Sequence, residues 1–168
     1  MKLKDILWSW DFMVAVICTL GVGFIAPYRV NNAFAKDIYG VGISVLSIVF
    51  SVYFAALAII ISSSDDSFIM FLEEEGDYTA LISSFKFSLS ILFFALLYSL
   101  IIFSVTSAWI VQECKMQSFW YLVGFSLLFL WGLFAAFNAT RDSIMYAQYR
   151  ARFLKIKKQN LKKDITND

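Results

Sequence analysis

Residues 43–78 read ISVLSIVFSVYFAALAIIISSSDDSFIMFLEEEGDY. Positions 43–61 carry no charge; then six carboxylates arrive within thirteen positions, namely Asp65, Asp66, Glu73, Glu74, Glu75 and Asp77. The uncharged run is long enough to form a helix that crosses the ~30 Å hydrocarbon core of a bilayer at ~1.5 Å per residue. The acid behind it marks the point where such a helix leaves the apolar medium, because an unpaired carboxylate is costly inside it.

The rest of the chain follows the same logic. It has 168 residues, 60% of them hydrophobic, and a mean hydropathy of +0.71, whereas a soluble domain is roughly 45–50% apolar. The excess sits in four runs, near 12–28, 41–61, 87–111 and 118–137, none of which contains Asp, Glu, Lys or Arg. The expected fold is an all-α integral membrane protein, a four-span antiparallel helix bundle with cytoplasmic helical extensions. The expected organisation is a cytoplasmic N-terminal segment 1–11, a membrane domain 12–140 that includes an acidic helical segment 62–86, and a basic helical tail 141–168. Asp11, Trp8 and Trp10 sit poorly in the n-region of a cleaved signal peptide, and Phe24 is a poor residue three positions from a cleavage site at Ala26. The first run therefore reads as a retained span.

Orientation follows from Lys and Arg. With both termini on one side, that side holds Lys2, Lys4, Lys86, Arg141, Arg150, Arg152, Lys155, Lys157, Lys158, Lys162 and Lys163, against Arg29, Lys36 and Lys115 on the other. Both termini are thus expected to be cytoplasmic, in a bacterial inner membrane. The two outer loops, 29–40 and 112–117, are too short to build a folded unit.

The cytoplasmic ends carry opposite charge. Segment 62–86 has a net charge of −5 (six acids, one base) and 141–168 has +5 (eight bases, three acids). Within the first, a short helix over 65–75 is expected, stopped by Gly76, and a second begins at Asp77 and runs into the third span. No glycine or proline interrupts 138–160, so the fourth span is expected to continue as one helix into the tail. The acids Asp65, Asp66, Glu73, Glu74, Glu75 and Asp77 can meet the bases Arg150, Arg152, Lys155, Lys157 and Lys158, within a subunit or between subunits, and both sets can dock a soluble effector; the rival reading of the basic tail is a polybasic contact with an anionic leaflet. Such pairs are each worth only ~0–1 kcal/mol at a surface, so they orient more than they stabilise.

A second pattern runs along the second span. Ser44, Ser47, Ser51, Ala55, Ala58 and Ser62 recur at a mean step of 3.6, which stacks them on one helix face. Ser84, Ser88, Ala95, Ser99 and Thr106 repeat the pattern in the third span, and Gly124, Gly132, Ala135 and Ala139, beside Asn138, do so in the fourth. Small residues let membrane helices approach closely, and such a stripe in an oligomer can also line a polar path. Asp11, Lys86, Arg141 and Asp142 stand where spans meet the interface and read as interfacial charges.

Chemistry is conspicuously missing from the sequence. The absence of histidine removes the commonest general base and metal ligand. Cys18 and Cys114 form no metal-binding or redox spacing, there is no phosphate-binding glycine loop, and no acid lies in mid-span. No enzyme activity, cofactor or metal is expected, and no direct contact with nucleic acid. Besides the lipid bilayer, the expected partners are further copies of the chain, a tetramer for instance, and a soluble cytoplasmic effector. The function that fits is a non-enzymatic membrane scaffold that recruits such an effector, as a small subunit of a bacterial stress or phage-defence system would. The alternative is a homo-oligomeric pore or ion channel that depolarises the membrane.

Overall fold

The computed structural model describes residues 10–26, 28–62, 66–73 and 77–167, with residues 66, 77 and 160–167 described by their backbone alone. In chain order the elements are α1 (Trp10–Ile25), β1 (Arg29–Asn31), α2 (Asn32–Ser62), α3 (Asp66–Glu73), α4 (Asp77–Val111), β2 (Met116–Ser118) and α5 (Phe119–Asn167). The described chain is almost entirely helical. Three helices are long and apolar enough to cross a membrane: Asn32–Ser62, Tyr78–Val111 and Phe119–Gln159. The first of the four expected spans is apolar but shorter: α1 has 16 residues, about 24 Å, against the ~20 residues that ~30 Å of hydrocarbon requires.

Helices α1, α2, α4 and α5 alternate in direction. α4 packs along both α2 and α5, α1 lies against α5, and the short α3 folds back on α4. α4 can take two neighbours because its small residues face inward: Ser88, Ala95, Ser99 and Thr106 are all buried. Gly132 of α5 meets this face, and a Cβ placed on it would stand 3.3 Å from Leu92 Cδ2, 3.6 Å from Leu46 Cδ2 and 3.7 Å from Ala95 Cβ. Ala135, Ala136 and Ala139 continue the close approach along α5. Around them, Leu46, Tyr53, Phe85, Leu92 and Tyr146 form one core cluster, and Val30, Ala35, Tyr39, Ile102, Leu122 and Phe125 form a second.

The second cluster lies under a feature that the short loops did not foretell. Arg29, Val30 and Asn31 pair antiparallel with Ser118, Gln117 and Met116. The α1–α2 and α4–α5 connections emerge at the same end of the bundle, so each supplies the backbone partners the other lacks. Asn32 belongs to α2, so most of the expected loop 29–40 is helical. Asn32 Nδ2 donates to the Cys114 carbonyl at 2.6 Å, and its backbone N–H donates to the Lys115 carbonyl at 3.0 Å. Glu113 makes the turn with φ 62°. This end is termed the ribbon end, and the opposite end, from which α3 and the last part of α5 project, the tail end.

A Cβ on Gly42 would fall 2.8 Å from Phe125 Cε2 and nearer still to Cζ. Phe125 is itself held by Tyr39 and Phe129, so the ring has little room to yield. Gly42→Ala is expected to destabilise the protein by about 1–3 kcal/mol in a detergent unfolding titration. Gly21→Ala, with nothing within 4 Å of the added methyl, is expected to shift the same midpoint by less than about 0.5 kcal/mol.

Candidate functional site

The tail end gathers the features the sequence marked out, and among the described residues aromatic rings join α3 to α5. α3 presents Phe68 and Phe71 to the projecting part of α5. Phe68 packs edge-on against Tyr146 at 5.4 Å and against Phe153 at 5.3 Å, and Phe71 meets Phe153 at 5.4 Å. Phe68, Leu72 and Tyr146 are buried in this contact. Such ring pairs add ~0.5–1.5 kcal/mol each beyond the area they bury. Among the described residues, the contact between α3 and the projecting part of α5 is thus built from aromatic rings.

The charged residues stand around that contact. Glu73 turns back along its own chain, accepting from the Thr79 hydroxyl at 2.6 Å and the Thr79 N–H at 3.1 Å. This caps the start of α4 and ties α3 to it. Asp65, Glu74 and Glu75 lie outside the described residues, and Asp66 and Asp77 are described by their backbone alone. Arg150, Arg152, Lys155, Lys157 and Lys158 are all exposed on α5. Lys157 lies over the Phe153 ring at 5.9 Å. The bases thus line a single unbroken helix that reaches about 45 Å beyond Phe137, from 30 residues (138–167) at ~1.5 Å each.

The small-residue stripe of α2 faces away from the subunit. Ser44, Ser51, Ala55, Ala58 and Ser62 are exposed and Ser47 is half-buried, on the side of the helix opposite Leu46, Tyr53 and Ile60. Close packing inside the subunit belongs instead to the equivalent stripes of α4 and α5. The α2 serines are satisfied locally: Ser44 donates to the Gly40 carbonyl at 3.0 Å, Ser51 to Ser47 at 2.8 Å and Ser62 to Ile59 at 3.2 Å.

Between the stripe and the tail lies a junction that sequence reading placed only at the interface. Asp11, in the first turn of α1, is 8% exposed and accepts a hydrogen bond from Asn138 Nδ2 on α5. It is therefore a buried, bonded group, because α1 lays its first turn across α5 at the level where the expected fourth span ends. Beside it, Ser84 Oγ of α4 donates to Asp142 Oδ2 at 2.8 Å, and Ser88 Oγ donates to the Ala135 carbonyl at 3.1 Å. These three helices are thus tied at one height by side-chain hydrogen bonds. Asn138 within an apolar run was the available signal, but its partner lies 127 positions away.

A second polar network sits at the ribbon end. Thr106 Oγ1 donates to Gln117 Oε1 at 3.1 Å, and Gln117 Nε2 donates to the Tyr39 hydroxyl at 3.0 Å. All three residues are buried, so the network fixes the register of α2 and α4 against the ribbon. Among the described residues no group of three or more Cys, Asp or Glu side chains converges as metal ligands would. Both cysteines are free and exposed.

Comparisons with protein-family models, with curated proteins and with solved structures find no match to this chain. Its function is therefore argued from the arrangement alone.

Phe153→Ala removes the ring that both α3 phenylalanines touch. It is expected to raise amide hydrogen exchange across residues 66–73 by about tenfold or more, equivalent to ~1.4 kcal/mol of lost local stability. Arg150→Gln, on the exposed side, is expected to leave exchange in that segment within about twofold. The reverse ranking would mean that charge, not ring packing, docks α3.

Proposed function

We propose that this protein is a non-enzymatic, oligomeric membrane subunit that holds a soluble protein partner at the cytoplasmic face of the bilayer. The observation that carries the reading is the tail: five exposed bases, Arg150, Arg152, Lys155, Lys157 and Lys158, stand on one continuous helix braced at its root by α3. A charged face on a rigid element is positioned before it meets a partner, which lowers the entropic cost of docking. Its charge favours a partner with an acidic surface and speeds encounter.

In this reading the apolar helices lie in lipid, with α1 as a short fourth span, and the termini and α3 lie on the cytoplasmic side. The excess of Lys and Arg at the tail end over the ribbon end supports that orientation. So does Trp10, 77% exposed at the start of α1, where an aromatic side chain anchors at a membrane interface. The outward stripe of α2 supports self-association, because small residues let a second copy approach closely in a medium that gives no hydrophobic drive.

The same stripe favours a second reading, a pore at the centre of an oligomer. Had it faced inward, that reading would have lost its lining. The serine hydroxyls bond their own backbone and leave acceptor lone pairs outward, which suits a narrow polar path.

Four experiments separate these claims. A membrane-impermeant maleimide applied to intact cells should label Cys114 in a Cys18→Ser background; labelling only after lysis would invert the orientation. In mild detergent, the wild-type mass should be a multiple of 19.2 kDa, and Ser47→Leu combined with Ala55→Leu should reduce it to a single chain. For docking, Arg152→Glu with Lys155→Glu should lower the recovery of a co-purifying partner about tenfold (~1.4 kcal/mol) with the oligomer intact. Should the pure protein instead pass ions through liposomes, and Ser47→Leu block that current without changing the mass, the pore reading replaces the scaffold.

A further inference from the structure

The junction around Asp11 is more than a brace. Two cavities flank the start of α1 where it crosses α5. One, of about 540 Å3, lies between α1, α4 and α5 and is lined by Asp11, Ser83, Ser84, Asn138, Arg141 and Asp142, with Trp10 and Phe87 at its edges. The other, of about 460 Å3, shares Trp10, Asp11, Asn138 and Arg141, and runs along α5 over Val14, Leu133, Phe134 and Phe137. Both fall within the ~300–1,000 Å3 of small-ligand sites. The first mixes polar and apolar side chains, the second is mainly apolar, and Arg141 belongs to both.

The charges in the first cavity are ordered. The Asp142 carboxylate is held by Ser84 and the Asp11 carboxylate by Asn138. Arg141 lines both cavities and is exposed, and among the described residues it has no salt-bridge partner within the structure. The described lining of the cleft thus offers a cation, Arg141, and an anion, Asp142. A purely anionic ligand gains one contact there and meets a repulsion. A ligand that joins a phosphate to a primary ammonium satisfies both groups: the guanidinium forks onto phosphate oxygens, and the ammonium donates to the Asp142 carboxylate. An apolar tail attached to that phosphate has the second cavity to follow.

We propose that the cleft between α1, α4 and α5 binds the phosphoethanolamine headgroup of a membrane lipid, with phosphate on Arg141, ammonium on Asp142, and an acyl chain along Val14, Phe134 and Phe137. The proposal rests on the membrane reading above, which sets this level of the bundle at the headgroups of the cytoplasmic leaflet. It gives α1 a role that its limited packing does not: a lipid wedged beside it ties the short helix to α4, which it otherwise barely meets.

The test uses the full chain in vesicles of phosphatidylethanolamine, phosphatidylcholine and phosphatidylglycerol in equal parts. The protein is extracted into mild detergent and the retained lipid identified by mass spectrometry of the intact complex. About one phosphatidylethanolamine per chain is expected, enriched at least fivefold over each of the others. The choline lipid has the phosphate but no ammonium N–H to donate, and the glycerol lipid has no cation. Arg141→Gln should return the retained lipid to the bulk ratio, while Lys86→Gln, an exposed base on α4 outside both cavities, should leave the enrichment unchanged. Asp142→Asn, which keeps the side chain's shape and its hydrogen bond to Ser84, should abolish the preference over phosphatidylcholine. Retention in bulk proportions by wild type, enrichment of phosphatidylglycerol, or an unaltered profile in Arg141→Gln overturns the site. A chain that stays in solution without detergent sinks the membrane reading and the site together. A chain that needs detergent but shows no headgroup preference sinks the site alone.

Discussion

Even a single methyl added at Gly132 of α5 would meet Leu92 of α4 at 3.3 Å, Leu46 of α2 at 3.6 Å and Ala95 of α4 at 3.7 Å, and the rest of the bundle is arranged around that approach. Three helices can converge on one point only where side chains are nearly absent. Ala135 and Ala139 keep α5 close to α4 down to the tail end. For a bundle placed in lipid, as proposed above, this closeness would be the main source of cohesion, because lipid tails are as apolar as the side chains inside. Dispersion between closely packed atoms then decides which faces meet.

That constraint places the polar groups too. Small residues line the inner face of α4, so its hydroxyls come inside with them, and each needs a partner. Ser99 bonds back to Ala95 at 2.7 Å, Ser88 reaches across to the Ala135 carbonyl, and Thr106 joins Gln117 and Tyr39. These bonds add little to stability singly, ~1 kcal/mol each. Their effect is to fix register, since sliding one helix by a turn would leave several donors unpaired in an apolar medium. The hydroxyls at the two ends of α4 thereby lock the ribbon end and the tail end independently.

The outward stripe of α2 follows by elimination. α4 and α5 have already matched their small faces to one another, and α2 joins them through large residues, Leu46, Tyr53 and Ile60. Its own serines and alanines are turned to the outside of the bundle. The projecting tail is shaped by a similar division of labour. Apolar rings of α3 and α5 meet in their contact, and Arg150, Arg152, Lys155, Lys157 and Lys158 stand on exposed positions of the tail.

Much of this was legible in the order of residues. Apolar runs of fixed length, ended by charge, state where helices are, since a helix is the structure that satisfies its own backbone in an apolar medium. The unbroken helix of α5 and the start of α4 at Asp77 both follow from local composition, because each depends on neighbours within a few positions. Pairings across the bundle were not legible. The periodicity of small residues in α2, α4 and α5 is the same, and nothing local says which stripe turns inward. The ribbon between Arg29 and Ser118, the Asp11–Asn138 bond and the rings of Phe68 on Phe153 join residues roughly 85 to 127 positions apart. Sequence by itself determined the helices and their ends, through backbone hydrogen bonding and solvation; the tertiary structure alone decided which faces meet, because close packing is a property of two surfaces and only one of them is written in any given stretch of chain.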